Sequence, residues 1–370
     1  MSALLSCMVP FFLMLLTSSC AWGQANHYAR NPTTKITTGI TRDAGLDVLP
    51  RETFVPFTRQ GNLMLVDGSI NGKSITMIFD TGAAGCLFSR ATLKSLNITM
   101  PANLQAATVA GVGTNRQTEA WIMPVTLKLG SIERRQFPVH INDNSLGFPL
   151  LGVNFLQGFE YTINTDANII QFKFISKDKA SVNSSPQSSL TANNSKNNTA
   201  SGNAANLTAA SLPTPANFSY SSMQDIAANL TSKPYITVDT SCHYVYTVPF
   251  AEYNGAIIVL VNIGGQKCPM ILDTGTNICL FSNAHIEQLK SLGIAPHFTG
   301  RMLIAKGVAG NMKAPLYIFD EAQFGPIKDH LVCLVSDQAF LPRPLLGQNF
   351  FSKWQLTVDH AHGVIKFIRR

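Results

Sequence analysis

Met77-Ile78-Phe79-Asp80-Thr81-Gly82 is an apolar run that stops abruptly at Asp-Thr-Gly, and the chain contains the pattern twice. The second copy is Met270-Ile271-Leu272-Asp273-Thr274-Gly275. Either copy alone reads as a strand entering a turn, because Asp and Gly both favour turns. The repeat says more. Val55–Ser89 and Val248–Ser282 align without a gap at an offset of 193, and 15 of 35 positions are identical. Both segments begin Val-Pro-Phe and both end Cys-Leu-Phe-Ser, at Cys86–Ser89 and Cys279–Ser282. Further on, Gly111-Val112 answers Gly307-Val308. Pro149-Leu150-Leu151-Gly152-Val153-Asn154-Phe155 answers Pro344-Leu345-Leu346-Gly347-Gln348-Asn349-Phe350. Repetition at this spacing implies two homologous units.

Each unit reads as mostly strand. Asn62–Ile70 and Ala256–Ile263 are rich in apolar and β-branched residues, and the turns Asn71-Gly72 and Gly264-Gly265 predict hairpins into the Asp-bearing strands. Ser89 and Ser282 stand as N-caps before short helical patterns, Arg90–Leu96 and Asn283–Leu292. Ala107–Trp121 and Leu303–Tyr317 predict a second hairpin with glycines at its tip, and Thr162–Phe172 and Thr357–Phe367 a terminal one. Between the units, Ser176–Pro215 is Ser, Asn, Thr and Ala with few large apolar residues, too little to order itself by burial. A flexible coil of about 65 residues spans roughly 40–50 Å, enough for the units to meet. The linker carries glycosylation sequons at Asn183 and Asn206, with Asn217 just beyond, and a short helix is expected near Ser222–Leu230. The expected division is a signal peptide over 1–25, an N-terminal extension over 26–53, a first unit over 54–175, a linker over 176–243 and a second unit over 244–370.

With 45% hydrophobic and 13% charged residues in 370, the chain can bury sizeable cores, which excludes a wholly disordered protein. The net charge of +7 includes no Lys/Arg run longer than two, so it implies solubility rather than a nucleic-acid footprint. The first 25 residues are uncharged, with an apolar run over Val9–Leu16 followed by small residues. That pattern suits a signal peptide cleaved after Gly23 or Ala25, with lipidation at Cys20 as the alternative, and it is too short to span a bilayer comfortably. An exported protein, periplasmic or secreted, without a stable membrane span after cleavage, is expected. Beyond that segment lie Cys86, Cys242, Cys268, Cys279 and Cys333, an odd number that is no disulfide framework. One bridge from Cys333 to Cys268 or Cys242 stays open. Cys86 and Cys279 read as small buried side chains rather than nucleophiles. No spacing suggests zinc; His360-Ala361-His362 falls in a hairpin turn, and neither metal nor cofactor is expected. His285 lies near Cys279 but has no counterpart in the first unit. Asn154 and Asn349 are expected to bond backbone locally.

Two Asp side chains brought together have a specific chemistry. Like charges a few ångströms apart cannot both ionise easily, so the pair shares a proton. One carboxylate can then take a proton from water while the other polarises a carbonyl. Gly after Asp-Thr permits close backbone approach. The order apolar-apolar-Asp-Thr-Gly, then a glycine-bearing hairpin, then Leu-Leu-Gly resembles the retropepsin-like and pepsin-like aspartic proteases over both units. The short units and the lack of a tyrosine in either candidate flap bring the chain nearer to retropepsins than to pepsin proper.

The resemblance implies an all-β fold of two retropepsin-like acid-protease units, each barrel-like with a short helix, related by pseudo-twofold symmetry. It makes Asp80 and Asp273 the catalytic dyad, Thr81 and Thr274 interlocking threonines, and Gly82 and Gly275 close-approach glycines. Ala83 and Thr276 complete the loops, and Leu151-Gly152 and Leu346-Gly347 pack behind them. Gly111, Val112 and Gly113, with Gly307, Val308 and Gly310, form mobile flaps. The implied partner is a peptide or protein substrate, cleaved by an endopeptidase that is an intramolecular pseudo-dimer. Separate homodimeric sites, or a non-catalytic peptide-binding module, are the alternatives. Because a Thr276 hydroxyl can donate to its own carboxylate, Asp273 is expected to ionise more readily, leaving the shared proton on Asp80.

Overall fold

The computed structural model describes residues 46–112, 118–143, 147–175, 230, 237–240, 243–253, 255–308, 310–336 and 341–368. The signal segment, nearly all of the linker with its sequons and with all of the expected helix but Leu230, Gly113 and Cys242 lie outside them.

The first unit runs β1 (Glu52–Gln60), β2 (Leu63–Ile70), β3 (Lys73–Phe79), β4 (Leu87–Ser89), β5 (Gln105–Val109), β6 (Thr118–Leu129), β7 (Ile132–Asn142), β8 (Leu150–Leu151), β9 (Phe159–Asn164) and β10 (Ile169–Phe174). β11 (Thr237–Thr240) then leads to β12 (His243–Pro249) and β13 (Ala251–Tyr253). The second unit repeats the pattern as β14 (Ala256–Ile263), β15 (Gln266–Leu272), β16 (Cys279–Ser282), β17 (His297–Gly307), β18 (Gly310–Phe324), β19 (Ile327–Ser336), β20 (Leu345–Leu346), β21 (Gln355–Asp359) and β22 (Val364–Ile368). In each unit a short helix follows the Cys-Leu-Phe-Ser strand, at Arg90–Ser95 and Asn283–Ser291. Fold class and two-unit organisation are thus as the repeat implied.

Local chemistry explains the hairpins. Asn71 and Gly72 take φ of 48° and 77°, and Gly264 and Gly265 take 55° and 88°, the left-handed pair that a two-residue hairpin requires. Ser89 accepts from the Thr92 N–H, and Ser282 from the His285 N–H, as helix caps. At Ser282 the cap is reciprocal: His285 Nδ1 accepts from the Ser282 N–H at 3.2 Å. That gives His285 a structural task which sequence spacing did not reveal.

The units share a floor. Its strand order is β12-β22-β21-β9-β10-β1, so β9 of one unit pairs antiparallel with β21 of the other. Thr162 pairs with Thr357, its own equivalent in the repeat, and their hydroxyls lie 2.7 Å apart. One buried apolar cluster runs through both units, from Val55, Phe79 and Phe172 to Val248, Leu272 and Phe367. Residues 46–53 also join the first unit. Val48 exchanges backbone hydrogen bonds with Glu133, and buried Arg134 ties Asp47 (3.1 Å) to the Phe155 carbonyl (2.8 Å).

Strand order rules out a bridge between Cys268 and Cys333. Cys268 and Cys333 are both free thiols. Their strands, β15 and β19, are separated by β20 and β16. Three strand spacings amount to roughly 14 Å, twice what a disulfide can bridge.

Candidate active site

Asp80 and Asp273 stand just beyond β3 and β15, where each strand leaves its hairpin. Each backbone N–H is held by the Leu-Leu strand behind it: Asp80 donates to the Leu151 carbonyl at 3.1 Å, and Asp273 to the Leu346 carbonyl at 3.0 Å. β8 and β20 run parallel to those strands, fixing where the chain must turn. Gly152 and Gly347 follow because the opposing loop passes at backbone distance. A Cβ on Gly152 would sit 2.5 Å from the Gly85 carbonyl carbon, and one on Gly347 2.6 Å from that of Ile278.

Across the unit boundary the two loops interlock. Thr81 donates its hydroxyl to the Leu272 carbonyl (2.8 Å) and accepts from the Thr274 N–H (3.1 Å). Thr274 does the same in reverse, donating to the Phe79 carbonyl (2.6 Å) and accepting from the Thr81 N–H (3.0 Å). Both threonines are fully buried. The glycines complete the junction: a Cβ on Gly82 would overlap the Asp273 carboxyl, and one on Gly275 the Asp80 carboxyl. No other residue fits there.

The carboxyls are only 7% exposed and hydrogen-bonded to each other. Burial pushes Asp80 up to about 6, against the pull of the Gly82 and Ala83 N–H groups on its Oδ1 at 2.9 and 3.0 Å. Burial also raises Asp273 well above the carboxylate range, reinforced by the Asp80 charge and opposed by the Gly275 N–H at 2.8 Å. The Thr276 contact with Asp273 runs through its backbone N–H, which Ala83 supplies equally well in the other loop. Burial therefore raises both carboxyls, so the pair holds a proton between them.

Cys86 and Cys279 are fully buried, and burial pushes both thiols up to about 12, so neither is a nucleophile. Each is instead part of a duplicated brace. Asn154 Oδ1 accepts from the Cys86 N–H (3.1 Å) and Asn349 Oδ1 from the Cys279 N–H (3.0 Å). The Gly152 and Gly347 N–H groups donate to the sulfurs, each at 3.3 Å. The asparagines were expected to bond locally; they reach back to the strand after the Asp loop, because Leu-Leu-Gly packs against it. Asn62 and Asn277 were missed altogether. The Asn62 N–H donates to Asn277 Oδ1 at 2.9 Å across the unit boundary, a contact invisible until the halves are docked.

The hairpins β5–β6 and β17–β18 bring their tips together. A Cβ on Gly111 would lie 2.9 Å from Val308 Cβ, and one on Gly307 would strike the Val112 carbonyl. Val112 packs on an apolar cluster of the second unit with Leu280, Leu303 and Leu345. Val308 packs on the corresponding cluster of the first, with Leu63, Leu65 and Leu150. Gly310 opens β18 at φ 110°. His360, at the terminal turn, contacts Glu252, and His362 bonds Asp359 at 2.8 Å. Among the described residues no cluster could hold a metal ion.

A duplicated β fold with two buried carboxyls meeting at the boundary of its halves defines a class of acid-protease architectures. The comparisons narrow it. The gag-polyprotein aspartyl protease family matches residues 66–158, and the aspartyl protease family residues 259–350. Among solved structures, a retropepsin-like aspartic protease from Rickettsia conorii is similar at 18% identity and a TM-score of 0.27, over 33% of this chain and 90% of that one. Comparison with curated proteins finds no match. With one match in each unit, the chain belongs to the retropepsin-like aspartic protease family and carries two such units in tandem.

Proposed function

We propose that the chain is an aspartic endopeptidase whose single site uses Asp80 and Asp273 as a dyad. The observation that supports this most is mutual: each carboxyl fills the space that the other loop's glycine leaves open. A scaffold that only bound peptides would have no use for a buried pair of like-charged groups, which is costly to keep. In the reaction, the ionised carboxylate takes a proton from a water held between the pair as that water adds to the scissile carbonyl. The protonated partner gives its hydrogen bond, then its proton, to the carbonyl oxygen. Collapse of the resulting gem-diol breaks the C–N bond as a proton passes to the leaving nitrogen. The tips at Gly111-Val112 and Gly307-Val308 part to admit an extended peptide and close over it. Processing of an exported precursor at Gly23 or Ala25 belongs to the same reading, as does the division of the chain into units and linker.

The test is cleavage of a diverse peptide mixture across acidic to neutral pH by the wild type and by Asp80→Asn and Asp273→Asn variants. Loss of all activity in either single variant is expected. If each variant kept part of the activity, the sites would be separate and homodimeric. A wild type that cleaves nothing, and binds a hydrated-amide mimic no better than a plain peptide, would be a binding module.

A further inference from the structure

The two walls beside the dyad are homologous but unlike in chemistry. On the first unit, Leu63, Leu65, Ile78, Leu87 and Leu150 form an apolar face, with Phe148 and the opposite flap's Val308 packed against it. On the second, Ile271, Leu280 and Leu345 stand where the first has Ile78, Leu87 and Leu150, and Val112 packs there from the other flap. Two positions break the match. Ala256 replaces Leu63, and Arg343 replaces Phe148. Both Phe148 and Arg343 lie two residues before the first leucine of Leu-Leu-Gly. The strand ladder reaches that far in each unit: Ile78 donates to the Pro149 carbonyl at 2.8 Å and Ile271 to that of Pro344 at 2.9 Å. Arg343 sits one residue before that bond, in a bend, at the position equivalent to Phe148, which packs on the first unit's wall.

Arg343 is 2% exposed, and its Nη1 is buried with no hydrogen-bond partner. Among the described residues it forms no ion pair with Asp or Glu; the groups that feel its charge are Tyr253, Cys268 and His285. A guanidinium does not shed its proton in a protein, so one whose Nη1 is buried without a partner can take up an anion there. Its planar fork matches a carboxylate, and Ala256 leaves room that Leu63 fills in the other unit.

We infer that Arg343 lines a subsite on the second unit's side of the scissile bond that accepts an Asp or Glu side chain of the peptide, opposite an apolar subsite beside Phe148 and Leu63. This rests on the endopeptidase reading and deepens it, giving the enzyme a substrate with an apolar residue on one side and an acidic one on the other. The pseudo-twofold relation makes the contrast specific, because the same place in the two halves carries opposite chemistry.

The experiment uses the full chain and C-terminally amidated peptides, identical except for Glu, Gln or Leu at the varied position, so that a terminal carboxylate cannot substitute. Rates are measured alongside calorimetric binding of the same peptides with a reduced, uncleavable scissile bond. Glu should be favoured over Gln by about tenfold or more at near-neutral pH, the worth of a charge-assisted hydrogen bond. The preference should fade below about pH 4, where the Glu side chain protonates. Arg343→Met should abolish it and Arg343→Lys should keep part of it. Should Arg343→Met fail to fold in a thermal melt, the wild type and the Lys variant decide. Equal rates and equal binding for Glu and Gln in the wild type overturn the subsite. Preferential binding of Glu without turnover upholds it and overturns the endopeptidase reading instead.

Discussion

At Asp80 and Asp273 the chain keeps a proton that its unfolded form would release, and the consequence is measurable in stability. Both carboxyls are raised in the folded state, Asp80 to about 6 and Asp273 well above its ordinary value, chiefly by burial. An unfolded Asp titrates near about 4, so between about 4 and 6 the native state holds more protons than the unfolded one. Stability from this pair is therefore greatest below about pH 4 and declines as pH rises through the folded value of Asp80. Asp80→Asn removes one of the two titrating groups and the repulsion between them. It should leave the melting temperature near pH 4 little changed and raise stability at pH 7 by about 1–3 kcal/mol, an order-of-magnitude figure from a shift of about two pKa units. Melts of wild type and variant across that range check this, and parallel curves would sink it. The identity of these two residues was legible in the sequence because Asp-Thr-Gly recurs in an aligned frame. How the pair shares its proton was not, since that depends on burial and on backbone N–H directions that a Thr/Ala difference does not report.

At the scale of elements, legibility followed the range of the interactions. Hairpin turns at Asn71-Gly72 and Gly264-Gly265 and caps at Ser89 and Ser282 are decided within four residues, and their residue types announce them. The Asn154 and Asn349 braces and the Asn62–Asn277 bond join segments that only the fold brings together, so type and spacing gave no hint of the partner. The reciprocal cap at His285 lies between, for a histidine in the third helical position is not the usual partner of a capping serine. Burial lowers its imidazole to about 4, with the neighbouring Arg343 charge adding to the effect and a bond to Pro342 opposing it. An unfolded His titrates near about 6.5, so this group contributes stability that is fully present above that value and is lost as pH falls toward 4. Protonation removes the Nδ1 acceptor that the Ser282 N–H uses. His285→Gln should flatten the stability profile on this acidic side, opposite in sign to the dyad's contribution. Chemical denaturation at pH 4.5 and 7, run on both proteins, separates the two, and an unchanged slope in the variant would count against the cap.

For the whole molecule, the repeat is the symmetry. Thr162 meets Thr357 at the floor, Thr81 meets Thr274 at the loops, Asp80 meets Asp273 at the dyad, and the Gly111-Val112 tip meets Gly307-Val308 above. Each pair consists of equivalent positions, so one pseudo-twofold axis passes through all four levels, and whatever displaces one unit disturbs every level together. The covalent connection between the units contributes none of these contacts. The halves should therefore hold together without it. A specific protease site introduced between residues 190 and 200, and cut after folding, is expected to yield two fragments that co-elute as one particle in native size exclusion. Their melting transition should remain single, because one apolar cluster and the β9–β21 pairing belong to both units. Dilution should lower that transition, since cutting converts the closure of a loop into a bimolecular association. Fragments that separate at micromolar concentration, or melt as two independent transitions, would show that the linker rather than the floor holds the site together, and the dyad would then depend on chain connectivity.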